Sequence, residues 1–539
     1  MYPWKNILAM AHHHAQSADF HSMRALCEQV ALNYRDHVLA LLDVGVLWFN
    51  FGFISDATQC FERVTQLDPH DSRAWLNLAN CFKEQGDYKR ANGLYLSLQT
   101  AHPDHVVIRR NVLTSLEYSP EASDSERFSH AQAWGAWATA RAGGPQPRPL
   151  ARLMRSPQSH AKTKLKVGYV SADFCQHTVG LFVKDVLQTH QRHAQVHEHP
   201  HPVEVFAYYS GQVNDWVTQA LRQCCTWRDV SALDDSALAK QIREDQIDVL
   251  IDLSGHTAGS RLTVFAHRPA PVQLSWLGYF ATTGLDAIDA VLLDAPHAPE
   301  GTEHQFVEEV VRLEGGRFYY QPVPWAPEVA EPPCLRSGHI TFGSFNNTGK
   351  LNLKVYDVWA QVLRAVPNAT LVLKWRTLVD APLCQAIRQA FEDRGVSASR
   401  IELRPASFHI DMLKEYADID IALDPFPFTG GLTSCEALWM GVPVVTLPQS
   451  RVVSRQTFAL LSAIGQTQWV APTEHDYVRI AQSLASDPNA LAHVRQTLRH
   501  TMRQSALMDL TGFTQKLEQV IYQLHDKYAP VSSLASARQ

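Results

Sequence analysis

The stretch ALDPFPFTGGLTSCEALWMGVPVV, residues 422–445, passes from an apolar run through proline and glycine into a short helical pattern. It leaves at Gly441-Val442-Pro443 into a second apolar run. Ile419–Leu423 reads as a short buried strand, Gly430-Gly431 as a bend where side chains would block close approach, and Thr433–Trp439 as a helix ended by Gly441. A glycine-rich loop that delivers a helix amino terminus presents free N–H groups and partial positive charge, which suits a phosphate. A local reading competes. Thr433 and Glu436 are also spaced as a capping box, in which each side chain satisfies a backbone N–H of its own helix.

Upstream, ITFGSFNNTGKLNLKVYDVWAQVLRAVPNATLVLKW, residues 340–375, repeats the theme as strand, polar turn, helix and strand. Val355, Trp359, Val362 and Val366 are spaced for one buried helical face, and Lys350 stands just before that helix. A cation at a helix amino terminus is misplaced by up to about 1 kcal/mol unless an anion sits between them. Asn347, Thr348 and Gly349 offer donors and an accessible backbone, as a phosphate cradle would, although an exposed lysine merely near a helix start is the alternative.

Farther upstream the same alternation recurs. KVGYVSADF, EVFAYYS, IDVLIDLSG and VQLSWLGY read as strands and QALRQCC as a helix, up to about residue 310. The proline-laden join YYQPVPWAPEVAEPPCLRSG separates the two alternating series, so the chain reads as two α/β domains in tandem. Ligands of open parallel sheets sit beyond the carboxyl ends of strands, and two such domains facing each other enclose a cleft. His177, in the loop after the strand closed by Asp173, and His256, in the loop after IDLSG, both fall at such ends. A side chain that titrates near neutrality there positions an acceptor or assists proton transfer, or else simply packs the loop. The Asp418–Asp420 triplet reads as the entry to a strand rather than as a metal-binding D-x-D, and no metal is expected.

The first hundred residues carry a repeat. Leu41, Gly45, Trp48, Gly52, Ala57, Phe61 and Pro69 recur 34 residues later as Trp75, Ala79, Phe82, Gly86, Ala91, Tyr95 and Pro103. Large, small, aromatic, small and proline at that period is the tetratricopeptide pattern, in which the small residues let two antiparallel helices approach. Residues 4–35 look like a degenerate first unit, and Val106–Leu116 starts a further helix. Such an array binds peptides or partners or, being short, braces the neighbouring domain. From about Pro120 the repeat dissolves, and Ala140–Lys166, rich in proline, glycine and basic residues, reads as a linker. The expected domains are therefore 1–118 for the repeats, 119–163 for a helical linker region, and 164–325 and 336–530 for two Rossmann-like domains, the second binding the donor.

The 539 residues are too many for one core, and 45% hydrophobic with 19% charged residues is ordinary for a soluble chain. A net charge of -6 gives no electrostatic case for nucleic acid. Nine cysteines without a C-x-x-C pair argue against a disulfide framework or a zinc ribbon and for a reducing, cytoplasmic setting. The start MYPWKNILAMAHHHAQ lacks the layout of a signal peptide, and the apolar run Val38–Ile54 is interrupted by Asp43 and Asn50, so neither export nor a membrane span is expected. Adjacent His12, His13 and His14 point in different directions on a helix and read as a solvated face.

RPAPVQLSWLGY, ITFGSFNN followed by Lys350, and DIALDPFPF with CEALWMGVPVVTL resemble the catalytic region of the O-GlcNAc transferase and SPINDLY family of GT-B glycosyltransferases, tetratricopeptide leader included. The resemblance implies metal-independent, inverting transfer of a sugar from a nucleotide donor to Ser or Thr hydroxyls of intracellular proteins, with no cofactor beyond the donor. It implies that Lys350 binds the donor diphosphate and stabilises the leaving group, with Asn347 and the Gly430-Gly431 loop beside it. His177 falls on the active-site histidine of the D-F-x-x-H stretch, Thr433 on one of two paired threonines, and Glu436 on an acidic residue that hydrogen-bonds the ribose. Leu432 stands where the other threonine is found, Gly431 replaces a histidine, and His409, the candidate for stacking on the base, lies farther upstream than expected. His256 sits in DLSGHTAGSRL, wording closer to SPINDLY than to the animal O-GlcNAc transferases. His177, Asp215 and a donor phosphate are the candidates for general base. UDP-GlcNAc is the leading donor, GDP-fucose the alternative and a non-catalytic repeat scaffold the second alternative. The repeats are expected to present protein or peptide acceptors.

Overall fold

The computed structural model describes residues 2–17, 19–151, 164–196 and 198–529, so 152–163 of the expected linker lie outside the described residues. The chain divides into two compact units. One comprises Met1–Glu121, Trp325–Pro448 and Gln468–Arg499; the other comprises Ala122–Pro324, Gln449–Thr467 and His500–Gln539.

The first unit begins with seven helices, three antiparallel pairs and a seventh against the last of them: α1 (Pro3–Gln16), α2 (Phe20–Asn33), α3 (Val38–Asn50), α4 (Ile54–Leu67), α5 (Ser72–Glu84), α6 (Tyr88–Ala101) and α7 (Val106–Tyr118). The 34-residue period maps onto α3/α4 and α5/α6. Most of its marked positions are buried, with Ala57, Phe61, Ala79, Ala91 and Tyr95 fully so, whereas Trp75 and Gly86 are half-buried and Pro69 and Pro103 are exposed. A Cβ on Gly45 would lie 2.7 Å from the Phe61 ring, so the small residue is what lets α3 and α4 close up. His12 and His13 are exposed on α1, as expected for a solvated face.

The second unit opens with α8 (Asp124–Arg141), started by Ser123, whose hydroxyl accepts from Glu126 N–H. Its sheet has seven parallel strands, β1 (Leu165–Ser171), β2 (Val203–Tyr209), β3 (Thr226–Asp229), β4 (Val249–Asp252), β5 (Val272–Trp276), β6 (Ala290–Leu293) and β7 (Glu309–Arg312), in the order β3-β2-β1-β4-β5-β6-β7. Val167 of β1 pairs with Val205 and Val249, and the central strands are buried on both faces, as parallel sheets covered by helices require.

The expected second Rossmann-like domain, 336–530, is corrected here: 449–467 and 500–529 fold with the first sheet. The helix Leu510–Tyr528 buries Phe513, Leu517 and Ile521 and lies against the helix Thr178–His193. Glu518, fully buried, accepts from His190 Nδ1 (2.8 Å) and His193 Nδ1 (2.9 Å), and burial pushes its carboxyl up to about 7. His199 Nε2 comes within 3.3 Å of the same carboxylate. The His193 and His199 rings stack 4.4 Å apart with planes 22° from parallel. Through Glu518 the cluster ties the helix Leu510–Tyr528 to the helix Thr178–His193.

The sheet of the first unit has five parallel strands, β8 (Thr341–Ser344), β9 (Thr370–Lys374), β10 (Ile401–Arg404), β11 (Ile421–Leu423) and β12 (Val444–Val445), in the order β10-β9-β8-β11-β12. Phe342 at its centre pairs with Leu371 and Ile421. The helix Leu353–Ala365 covers one face and buries Val355, Trp359 and Val362.

Candidate active site

In the first unit a pocket opens where β8 and β11 end, lined by Ser344, Phe345, Asn346, Asp424, Thr433 and Ser434. That is where an open parallel sheet receives its ligand. The turn after β8 carries Lys350, whose ammonium donates to Asn346 Oδ1 (3.0 Å) and the Thr429 carbonyl (2.9 Å) and lies 4.9 Å over the Phe428 ring. Asn346 Oδ1 also accepts from the Thr433 hydroxyl (3.2 Å), so one amide oxygen joins the lysine to the start of the helix Leu432–Trp439. Asp424 shapes the intervening loop, accepting from Gly430 N–H (2.6 Å) and the Thr446 hydroxyl (2.6 Å). A Cβ on Gly430 would lie 2.2 Å from Ser434 Oγ, so a larger residue there would force the Ser434 side chain to move.

The capping-box reading of Thr433 and Glu436 does not hold. The helix begins after Gly431 with no side-chain cap, Thr433 turns to Asn346, and the buried Glu436 accepts from His409 Nε2 at 2.7 Å. Burial pushes the Glu436 carboxyl up, opposed by His409. His409 begins the helix His409–Glu415 and its imidazole reaches Glu436, with Trp325 edge-on to it at 6.2 Å. Asn347 caps the turn Thr348–Lys350 through Gly349 N–H (2.8 Å), and its neighbour Asn346 is the one that meets the lysine. Asn346, Asp424, Phe428 and Trp325 escaped the sequence reading. The Asn346-Asn347 doublet was the visible signal, but a loop just past a strand end does not reveal which of two adjacent side chains faces inward.

Burial pushes the Lys350 ammonium down to about 8 from an ordinary lysine near 10.5, with Asp424 opposing the shift. An anion binds a protonated lysine, so affinity for inorganic diphosphate is expected to be insensitive to this group below pH 8. Above it, affinity falls by about tenfold per pH unit. Calorimetric titration between pH 7 and 10 checks this; a fall that begins only above pH 10 would contradict it.

The second unit gathers His177 and Asp215. His177 is half exposed and starts the helix Thr178–His193, its Nδ1 accepting from Val179 N–H (3.3 Å) and lying 3.7 Å from Asp173 Oδ2. Asp215 is an N-cap that accepts from Val217 and Thr218 N–H, and its other oxygen accepts from Gln176 N–H at 2.6 Å, next to His177. With three backbone donors on its carboxylate, Asp215 holds the loop more than it offers a base. His256 is 1% exposed, donates from Nε2 to the Thr283 carbonyl (2.9 Å) and is packed edge-on between Trp134 and Tyr279, a packing position rather than a displayed one.

The model of glycosyl transferase family 41 matches residues 152–319 and 333–517, and a tetratricopeptide repeat model matches 54–109. A protein of Petunia hybrida named probable UDP-N-acetylglucosamine–peptide N-acetylglucosaminyltransferase SPINDLY is 35% identical over 439 residues, 79% of this chain and 45% of that protein. Its namesake in Arabidopsis thaliana is 36% identical over 431 residues, 79% of this chain and 46% of that protein. The chain thus spans less than half the length of these curated relatives. The solved structure of a lysine-to-methionine mutant of Thermobaculum terrenum O-GlcNAc transferase superposes with a TM-score of 0.83 at 32% identity, covering 98% of both chains.

Proposed function

The chain belongs to glycosyl transferase family 41, with a GT-B type pair of Rossmann-like domains behind an all-α tetratricopeptide array, and from that premise we propose that it is a protein O-glycosyltransferase. It transfers GlcNAc from UDP-GlcNAc to Ser or Thr hydroxyls of intracellular proteins with inversion. One observation carries the reading. The Lys350 ammonium and the uncapped amino end of the helix Leu432–Trp439 meet on Asn346, so a full and a partial positive charge converge where a diphosphate fits. The acceptor oxygen bonds to the anomeric carbon and gives its proton to a donor phosphate oxygen, the bond from that carbon to the diphosphate oxygen breaks, and the electron pair leaves with the nucleotide, held by Lys350 and the helix N–H groups. The resemblance to the family, together with its hydrogen bond from His409, supports Glu436 as the partner of a ribose hydroxyl. No metal is needed, since the lysine and helix dipole supply the positive charge.

The setting is the cytoplasm, supported by nine unpaired cysteine thiols and by the lack, among the described residues, of any helix long and apolar enough to cross a membrane. Calorimetric titration with UDP and GDP, followed by transfer assays with and without EDTA, tests the proposal. UDP is expected to bind at least about tenfold more tightly than GDP, since the base is read by hydrogen bonds whose loss costs about 1 to 3 kcal/mol. Turnover is expected to be unchanged by chelation. Binding of GDP alone would make the enzyme a fucosyltransferase, activity restored by manganese would overturn the metal-free mechanism, and binding of neither nucleotide would leave a repeat scaffold.

A further inference from the structure

The turns of the repeat array meet the lysine loop directly. Gly52 and Gly86, one repeat apart, occupy the α3–α4 and α5–α6 turns with φ of 90° and 76°. A Cβ on Gly52 would lie 2.4 Å from the Arg376 carbonyl oxygen, and one on Gly86 would lie 2.3 Å from the Leu351 carbonyl oxygen, so each turn touches a loop of the five-stranded domain backbone to backbone. Around Gly86 the contact becomes specific. The Thr348 hydroxyl donates to the Glu84 carbonyl (2.9 Å) and lies 2.7 Å from the Thr377 hydroxyl, from which it accepts. Arg376 pairs with Glu84 at 3.0 Å, and the buried Tyr88 hydroxyl donates to the carbonyl of Gly349, the residue before Lys350. A second path runs through rings. Tyr88 stacks on Tyr118 (6.0 Å), Tyr118 on Phe428 (4.1 Å), and the Lys350 ammonium lies over Phe428.

Tyr88 therefore reaches Lys350 twice, through the backbone that carries it and through the ring column beneath its charge. We infer that Tyr88 is a positioning residue for sugar transfer, and that the α5/α6 repeat fixes the catalytic lysine in place as well as belonging to an array that meets acceptors. The inference rests on the proposed role of Lys350. Removing the whole array is a poor test of acceptor binding on this view, because it also strips the support from the lysine loop and lowers donor hydrolysis together with protein transfer.

The test is Tyr88→Phe in the full chain, which keeps the ring column and removes only the hydroxyl, compared with Tyr95→Phe. Tyr95 donates to Asn80 Oδ1 (2.5 Å) within the array. Tyr88→Phe is expected to lower kcat for protein transfer and for hydrolysis of free UDP-GlcNAc by the same factor, about three- to tenfold for one buried hydrogen bond, and to weaken UDP binding similarly. The KM for the acceptor protein stays unchanged, and Tyr95→Phe keeps wild-type kcat although it also removes a hydrogen bond from the array. Wild-type kcat in Tyr88→Phe, a loss confined to protein transfer, or an equal loss in Tyr95→Phe would overturn the inference. Retained transfer in Lys350→Ala would instead sink the functional reading itself, whatever Tyr88→Phe does.

Discussion

Lys350→Ala is expected to lower sugar transfer by about a thousandfold or more while leaving the protein as stable as before or slightly more so. The rate loss follows from what the charge does. In the proposed reaction it meets a diphosphate that gains negative charge as the anomeric bond breaks, and cationic groups in that role on transferring phosphates are worth about 10³ to 10⁵ in kcat. The stability argument has the opposite sign. The ammonium is pushed down to about 8 in the fold, below its unfolded value near 10.5, so the fold disfavours the charged form. Below pH 8 that penalty is fully present, between 8 and 10.5 it fades, and alanine removes it throughout. Single-turnover assays and thermal unfolding at pH 7 read both quantities. Undiminished turnover would refute the role of Lys350, and a large drop in Tm would mean that the side chain holds the loop rather than a ligand.

Gly135→Ala is expected to cost more than about 4 kcal/mol, enough that the variant accumulates poorly or unfolds many degrees early. A Cβ at Gly135 on α8 would lie 1.6 Å from the Gly284 carbonyl oxygen, and one at Gly284, where φ is 75°, would lie 2.0 Å from the Ala131 carbonyl oxygen. Helix and loop touch backbone to backbone, so no rotamer change relieves the clash. The helix is thereby part of the unit's wall, and Trp134 beside Gly135 lies edge-on to His256 at 4.5 Å. Soluble yield and thermal unfolding of the variant check this; a wild-type Tm would mean that α8 is not seated on residues 282–285.

Much of this was legible in the residues because it is periodic. The 34-residue repeat and the alternation of strand and helix follow from side-chain spacing, and so does the buried face of Leu353–Ala365. The parts that were not legible depend on contacts between segments far apart in the chain. Nothing in Thr433 and Glu436 alone decides between a cap and a binding pair; the choice is made by Asn346 and His409, 87 and 27 residues away. The assignment of Leu510–Tyr528 to the first sheet is equally hidden, because an amphipathic helix announces that it covers something and not what it covers. Asp215 illustrates the converse: a carboxylate near a candidate active-site histidine invites a catalytic role, and three backbone N–H groups give it a structural one.

The two turn glycines that seat the array carry a consequence for how such a chain can change over generations. Duplicating or losing one 34-residue unit between α3 and α6 would replace the Gly52 and Gly86 seats and carry Tyr88 away from Gly349, so unit number is constrained on the side next to the lysine. Ahead of α3 no such seat is engaged by Gly52 or Gly86, and units gained or lost there leave both docking points untouched. A change in array length at its amino-terminal side therefore leaves the lysine loop seated, whereas one between α3 and α6 does not.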